Sequence, residues 1–307
     1  MAVESDTLKD QVLIKSDGSP TYNFSCVVDD AHMGITHILR GDDHISNTPK
    51  QILFYEAFGL APPRFGHMPL ILGPDGSKLS KRHGGVSVEE YRREGFLPEA
   101  LANYLILLGW MPRDGRELMT AAEAASRFEI AEMSGVQAKF DLQKLRWLNA
   151  WYIAMAPGER LVPDVRQRLE AAGTGTSAFP DDYVSRVVDL YRVRAKTVGE
   201  FPPMIDLFFR EDFAFEDGGR ALLDAPGNRD LLAALAGRLD TLPDFSRAAI
   251  EAAFRALAEE RGLKAAAVVH PARMAVSGKS KGAGLFEMME VLGRERAVAR
   301  LRRAAHA

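Results

Sequence analysis

The pattern of apolar residues changes near residue 73, and this change constrains the fold more than any other feature of the chain. Beyond it, Ala, Leu, Arg and Glu recur with helical spacing, interrupted by glycine and proline. Before it, an Asp17-Gly18 dipeptide predicts a hairpin turn. Short apolar runs on this side of the change are typical of strands, and they lie at residues 12–14, 22–28, 38–40 and 68–72. The sequence therefore predicts an α/β segment followed by an all-α remainder.

Start and stop signals locate several helices. Thr48-Pro49 predicts a helix start with Thr48 as the capping hydroxyl, and Gly59 is placed to end that helix. The spacing of Ser87 to Glu90 and of Thr120 to Glu123 is that of a capping box. Two further helices are predicted, one over residues 98–108 and one beginning at Asp141.

The composition is that of a globular protein. The chain has 307 residues, of which 47% are hydrophobic and 26% charged, so two or three domains are expected. A single cysteine, Cys26, excludes a disulfide framework and a cysteine-rich zinc site, and it favours a reducing compartment. With neither a signal-peptide pattern nor a membrane-spanning apolar run, we expect a cytoplasmic protein that does not bind membranes.

The charge is unevenly distributed. The whole chain carries a formal net charge of −3, but from Lys264 to the end nine Lys and Arg residues face three Glu, a local net charge of +6. A basic tail on an acidic body could face a polyanion. The ordinary alternative is a solvated helix surface, and on charge alone that alternative is favoured.

Three cations follow the last predicted strand, at Lys78, Lys81 and Arg82. Two lysines three residues apart on a polar loop suit a phosphate chain whose geometry changes during reaction, because the ammonium group is a compact charge on a flexible stem. A generic surface turn is also rich in Lys, Gly, Pro and Asp. The function of this loop therefore has to be inferred from the residues around it.

The motif Lys78-Leu79-Ser80-Lys81-Arg82 resembles the Lys-Met-Ser-Lys-Ser signature of class I aminoacyl-tRNA synthetases, in the form common in the glutamate branch. Stretches before and after it also resemble glutamyl-tRNA synthetases, and they occur in the same order along the chain. They include Pro20-Thr21-Tyr22-Asn23-Phe24, Arg40-Gly41-Asp42-Asp43-His44, Glu94-Gly95-Phe96-Leu97-Pro98, Phe140-Asp141-Leu142-Gln143-Lys144 and Gly284-Leu285-Phe286-Glu287.

The resemblance implies an α/β plus all-α fold with four parts. The first is the second half of a Rossmann-type catalytic domain, and the second carries the signature loop and a helical stem-contact domain. The last two are helical anticodon-binding subdomains. Their boundaries are residues 1–72, 73–157, 158–211 and 212–307.

For glutamate, the resemblance implies contacts from Tyr22 and Arg40. An arginine fork pairs naturally with a carboxylate through two hydrogen bonds. The alternatives are a surface ion pair for Arg40 and a half-buried strand aromatic for Tyr22.

For ATP, the resemblance implies that Lys78 and Lys81 act on the phosphates as the catalytic pair. Asp43 and His44 would contact the ribose and adenine, although the same pair also suits a helix start. ATP would enter as its Mg²⁺ complex, and no zinc is expected. The full set of ATP-binding positions is Asp43, His44, Leu72, Lys78, Ser80, Lys81 and Arg82.

For the anticodon, the resemblance implies contacts from Arg194, taken to lie on a helix, and from the turn at Gly284 and Leu285. Guanidinium groups and close-approach glycines suit splayed bases. Ala283 stands where a proline is common in the family, which weakens the assignment of this turn. Tail residues from Lys264 onward gain tRNA as a possible polyanionic partner.

The family's other signature, His-Ile-Gly-His, is not among the motifs of this sequence. The expectation is an N-terminally incomplete glutamate–tRNA ligase, a monomer inactive without a missing N-terminal half, whose partners are tRNA(Glu), glutamate and ATP. A second hypothesis is a tRNA-binding module without catalytic activity. A third is a glutaminyl-tRNA synthetase relative, which should show strands instead of helices after Pro157.

Overall fold

The structure is a computed structural model that describes residues 8–80 and 87–306. Contacts between Cα atoms group the chain into two compact units. The first comprises residues 1–87 and 102–142, and the second residues 88–101 and 143–307. The four-part division drawn from the sequence stays a prediction.

A parallel pair of strands organises the first unit. Strand β1 (His37–Gly41) pairs with β2 (Arg64–Met68), and the register places Arg40 opposite His67. The strand predicted at residues 38–40 is confirmed. The strand predicted at residues 68–72 is wrong, because β2 ends at Met68, and Pro69 beyond it has no N–H to extend a ladder.

Residues 22–28 form a helix, so the strand predicted there is wrong. Helix α1 (Tyr22–His32) follows Thr21, whose backbone is extended at φ −75° and ψ 156°. Packing explains the outcome, since the Phe24 ring lies 6.1 Å from the rings of both Phe54 and Phe58. The predicted Asp17-Gly18 turn is present, with Gly18 at φ +83°. Tertiary contacts thus override the strand preference of aromatic and β-branched residues.

The other helices of the first unit agree with their sequence signals, with one correction. Helix α2 (Thr48–Ala57) begins as expected, but its capping position is Asn47, and the Thr48 hydroxyl faces the sheet. The capping box between Thr120 and Glu123 is confirmed at the start of α5 (Ala121–Arg127). Helix α4 (Pro98–Gly109), predicted from the sequence, contributes residues to both units.

The described residues of the second unit form helices joined by turns and irregular segments, with no strand. Its core contains fully buried Phe201, Phe208, Leu232 and Leu301. The all-α prediction for the second half of the chain is confirmed. The helices are α3 (Val88–Glu94), α6 (Leu142–Met155), α7 (Gly158–Ala171), α8 (Asp181–Tyr191), α9 (Phe201–Ile205), α10 (Gly219–Leu223), α11 (Asn228–Asp240), α12 (Arg247–Glu260), α13 (Ala265–Ser277), α14 (Leu285–Leu292) and α15 (Arg294–His306).

Three arginines of α15 converge on one carboxylate. Glu211 accepts from Arg296 Nε at 2.7 Å, from Arg300 Nε at 3.0 Å and from Arg303 Nη2 at 3.4 Å. Arg300 is fully buried and also donates to the carbonyls of Leu207 and Val276. Burial lowers the pKa of Arg300, and the hydrogen bond that it donates to Glu211 opposes that shift. Much of the tail's positive charge is therefore engaged inside the unit.

Replacing Arg300 by alanine removes a buried cation, takes one of three arginine partners from Glu211 and removes the donor to the carbonyls of Leu207, Arg210 and Val276. We expect Arg300→Ala to lower the free energy of unfolding by about 3 kcal/mol. Urea denaturation followed by circular dichroism measures the change.

Arg302 provides the matched control on the same helix, because it is half exposed and makes one ion pair, with Asp240 at 2.7 Å. Arg302→Ala should change the free energy of unfolding by less than about 0.5 kcal/mol. Equal losses of unfolding free energy in the two variants would show that the buried contacts of Arg300 stabilise the unit no more than the exposed ion pair of Arg302.

Candidate functional site

The loops that follow β1 and β2 meet at one edge of the sheet. Parallel strands place their carboxyl ends together, and ligands bind in α/β folds outside these ends. Asp43 lies just beyond β1, and Lys78 lies on the loop that follows β2. The Lys78 ammonium donates to Asp43 Oδ2 at 2.8 Å. The structure thus brings together two of the candidate ATP-binding residues from positions 35 apart in the chain.

A tight hairpin fixes the backbone before Lys78. Gly73 N donates to Ser77 O at 2.7 Å, and Asp75 Oδ1 accepts from the Ser77 amide at 2.9 Å. Gly76 has a φ of +79°, a conformation that favours glycine. Candidate Leu72 lies at the base of this hairpin, where its amide donates to Ala138 O at 2.9 Å. Ser80 follows the hairpin.

Candidates Lys81 and Arg82 lie outside the described residues. Their predicted roles stay predictions.

Asp43 is kept ionised by its surroundings. The hydrogen bond from Lys78 lowers the pKa of the Asp43 carboxyl, and the charge of Lys78 lowers it further. Gly41 makes room for this carboxylate, since a Cβ there would lie 2.6 Å from Asp43 Oδ1. Asp43 therefore offers acceptor oxygens to ligand hydroxyls. Because the ion pair is exposed, little free energy opposes transfer of the Lys78 ammonium to a phosphate.

Tyr22 and His44 lie beside this edge. The Tyr22 hydroxyl is 3.5 Å from His44 Nδ1, and their ring centroids are 5.8 Å apart. A hydrogen bond with Cys26 and burial raise the pKa of the Tyr22 phenol, while the nearby charge of Arg40 lowers it. Tyr22 is therefore a neutral phenol at physiological pH, and it lies close to the Arg40 guanidinium.

Arg40 is held by two groups that the sequence reasoning did not identify. Its Nη2 donates to the Thr48 hydroxyl at 2.7 Å, and its Nε donates to His67 Nε2 at 3.4 Å. The guanidinium carbon also lies 5.3 Å from the centre of the Phe65 ring. Only the register of the parallel strands shows that His67 faces Arg40, so local sequence carried no signal for this contact.

The candidate anticodon residues lie in the second unit. Arg194 is exposed and lies in the turn after α8, so its predicted place on a helix is wrong. Burial raises the pKa of the Tyr191 phenol, and the charges of Arg273 and Arg194 partly oppose that shift. Arg273 Nη1 in turn donates to the carbonyl of Ala283 at 2.9 Å. Arg194 and the turn before α14 therefore both lie near Tyr191 and Arg273.

Within that turn, the two candidates differ in what they expose. Gly284 is exposed, and a side chain there would collide with the Glu287 carboxylate. Leu285 is only 3% exposed and belongs to the helical core. The Leu285 side chain therefore packs in the core, and its backbone is the part of the residue left for a contact with a nucleotide base. Glu287 is oriented by Arg247, whose Nε lies 3.1 Å from Glu287 Oε1.

The described part of the chain contains no group of three or more His, Cys, Asp or Glu side chains that could hold a metal ion. Over the same residues, no helix is both long and apolar enough to cross a membrane.

Two family models match the chain. One, described as tRNA synthetases class I (E and Q), catalytic domain, matches residues 1–147, and the other, an anticodon binding domain, matches residues 160–305. The glutamate–tRNA ligase 1 of Caldanaerobacter subterraneus subsp. tengcongensis is 42% identical over 302 residues, or 98% of this chain. The glutamate–tRNA ligase of Desulforudis audaxviator is 45% identical over 308 residues, or 98% of this chain.

The chain belongs to the glutamyl-tRNA synthetase family. It spans 63% and 61% of the length of these two curated relatives. Among solved structures, it is similar to a glutamate tRNA ligase from Elizabethkingia meningosepticum in complex with its amino acid, with a TM-score of 0.88 and 31% identity. That similarity covers 99% of this chain and 64% of the other.

The different burial of Leu285 and Arg194 predicts different effects of their substitution on the stability of this glutamyl-tRNA synthetase chain. Leu285→Ala should lower the free energy of unfolding by about 2–5 kcal/mol, because it leaves a cavity in the core. Arg194→Ala, on an exposed turn, should change it by less than about 0.5 kcal/mol. Urea midpoints of the two variants provide the comparison, and a large loss in Arg194→Ala would assign that arginine to the core.

Proposed function

We propose that this chain takes part in glutamate–tRNA ligation and supplies part of the ATP site, a glutamate-binding arginine and the anticodon-reading helices. The observation that carries the proposal is the contact of Lys78 with Asp43 at the carboxyl edge of a parallel sheet, beside Tyr22 and Arg40. The names of the curated relatives support glutamate as the amino acid.

ATP is proposed to bind at this edge as its Mg²⁺ complex. The Lys78 ammonium leaves Asp43 for the phosphates, together with Lys81, while Ser80 and Arg82 complete the signature loop. Asp43 then accepts from ribose hydroxyls, and the His44 imidazole offers a flat surface to the adenine. Leu72 shapes the base of the loop.

Glutamate is proposed to bind through Arg40 and Tyr22. The guanidinium provides paired donors for a carboxylate, and the neutral phenol of Tyr22 can donate one further hydrogen bond. Because Arg40 is fixed by Thr48 and His67, little side-chain entropy is lost when a carboxylate binds.

The proposed reaction has two steps. A glutamate carboxylate oxygen attacks the α-phosphorus of ATP, and the bond to the departing pyrophosphate breaks, which gives glutamyl-adenylate. A ribose hydroxyl of the terminal tRNA adenosine then attacks the activated carbonyl and releases AMP, with loss of the hydroxyl proton. The residues described contribute by positioning and by stabilising phosphate charge.

For tRNA(Glu), Arg194 and the Gly284 turn are proposed to contact anticodon bases, with Leu285 contributing through its backbone. The exposed guanidinium of Arg194 suits hydrogen bonding or stacking with a splayed base. The described residues from 158 to 306 contain no strand, which favours the glutamate over the glutamine enzymes. The monomeric state expected for the chain stays a prediction.

A stand-alone tRNA-binding module is the second candidate. The observation in its favour is the match of residues 160–305 to an anticodon binding domain.

Pyrophosphate exchange dependent on glutamate and ATP separates the two candidates. The chain is assayed alone and after addition of a fragment corresponding to the unmatched part of a relative. Exchange that appears only after this addition supports the ligase. Tight binding of tRNA(Glu) without exchange in either assay supports the module.

Lys78→Ala tests the ATP contact in the complemented protein. Loss of a cation aimed at developing phosphate charge should lower kcat for pyrophosphate exchange by about 100-fold. Lys15→Ala is the control, because Lys15 is exposed in the same unit and lies outside the site. Equal rates in the two variants would show that Lys78 does not act on ATP.

A further inference from the structure

The support behind Arg40 comes from two elements. His67 lies directly opposite Arg40 in the register of β1 and β2, and Thr48 is the buried first residue of α2. The Thr48 hydroxyl is 2.7 Å from Arg40 Nη2 and 3.0 Å from His67 Nε2. The Arg40 Nε lies 3.4 Å from the same ring nitrogen. Three polar groups therefore converge within hydrogen-bond distance.

The chemistry of these groups determines where the protons lie. A guanidinium can only donate, so both His67 Nε2 and the Thr48 oxygen must accept from Arg40. The Thr48 hydroxyl hydrogen has two acceptors within reach, His67 Nε2 at 3.0 Å and the His44 carbonyl at 3.4 Å. Because its Nε2 accepts from Arg40, His67 is a neutral imidazole whose proton is on Nδ1.

This arrangement also selects one edge of the Arg40 fork. His67 and Thr48 occupy Nε and Nη2, the nitrogens that form the side edge of the guanidinium. Neither group uses the end of the guanidinium formed by Nη1 and the second N–H of Nη2. A ligand carboxylate can pair with that end in two parallel hydrogen bonds.

We propose that His67 is a positioning residue for substrate recognition, which holds the Arg40 fork with its end directed to the glutamate carboxylate and releases it when the imidazole is protonated. The inference rests on the proposed function of Arg40 as the glutamate-binding residue. It adds His67 to the proposed glutamate site as a residue that does not contact the substrate.

Protonation reverses the contact because both imidazole nitrogens of a charged histidine donate. An N–H would then point at the Arg40 guanidinium, and two positive charges would face each other. The charged and titratable groups around His67 are Arg40 on β1, and His44 and Asp42 on the segment after it, with the neutral Thr48 from α2. Burial lowers the pKa of His67, the charges of Arg40 and His44 lower it further, and Asp42 opposes them.

The sign of the pH effect follows from these shifts. His67 stays neutral through physiological pH and is protonated only below its ordinary value of 6.5. Carboxylate binding should therefore be intact at neutral pH and weaken as the pH falls below that value. A residue with a purely structural role would show no such coupling to glutamate.

The first test uses the chain as it is, labelled with ¹⁵N in its histidine and arginine side chains. The His67 ring should show a protonated Nδ1 and an unprotonated Nε2 at pH 7.5. His67→Phe keeps a ring but no acceptor, so the Arg40 Nε signal should shift and its proton should exchange faster. His67→Gln, whose amide oxygen can replace Nε2 as acceptor, should preserve the Arg40 signal.

The second test measures the KM for glutamate of the complemented protein in pyrophosphate exchange, from pH 5.5 to 8. His67→Phe should raise KM about tenfold at pH 7.5, as expected for loss of one hydrogen bond to a charged group. His67→Gln should keep KM near that of the parent and abolish its rise at acid pH. His37→Gln is the matched control, because His37 is exposed at the other end of β1.

The outcomes separate the two proposals. Absence of glutamate-dependent exchange from the parent and every variant would reject the proposed function, and the NMR signals of Arg40 would still decide whether His67 positions it. An unchanged Arg40 signal in His67→Phe, or a protonated Nε2, overturns the positioning role. So does an acid rise in KM that persists in His67→Gln.

Discussion

The parallel pairing of β1 with β2 is the constraint on which the candidate active site depends. Because both strands run in the same direction, the residues that follow them emerge at one edge. Asp43 and Lys78 meet there although 35 positions separate them in the chain. The same pairing sets Arg40 opposite His67. One register therefore determines both the ion pair and the support of the candidate glutamate-binding residue.

The site combines a loosely held cation with a firmly held one. Lys78 is exposed and has one carboxylate partner, so its ammonium can follow a phosphate group at little cost. Arg40 instead donates to Thr48 and His67 from one edge of its fork. This contrast suits the proposed chemistry, in which the phosphates change geometry and the amino acid must stay in place.

In the helical unit, several arginines of the basic tail hold the fold together instead of forming a positively charged surface. Glu211 gathers three arginines of α15, and the buried Arg300 also satisfies backbone carbonyls. A count of charges along the sequence cannot separate such arginines from those that face a polyanion. The exposed Arg194, outside the basic tail, is consequently the better candidate for a contact with RNA.

Sequence patterns were enough to establish the family resemblance, the change from α/β to all-α structure, and helix ends such as the Thr120–Glu123 capping box. These features depend on side chains within a few positions of one another, or on motifs read in order. Tertiary structure alone decided that residues 22–32 form a helix, that Thr48 and His67 hold Arg40, and that Leu285 belongs to the core. The physical reason is the separation of the partners. Thr48 and His67 are 19 positions apart, and the Leu207 carbonyl lies 93 positions from Arg300, so the contacts exist only once the chain has packed.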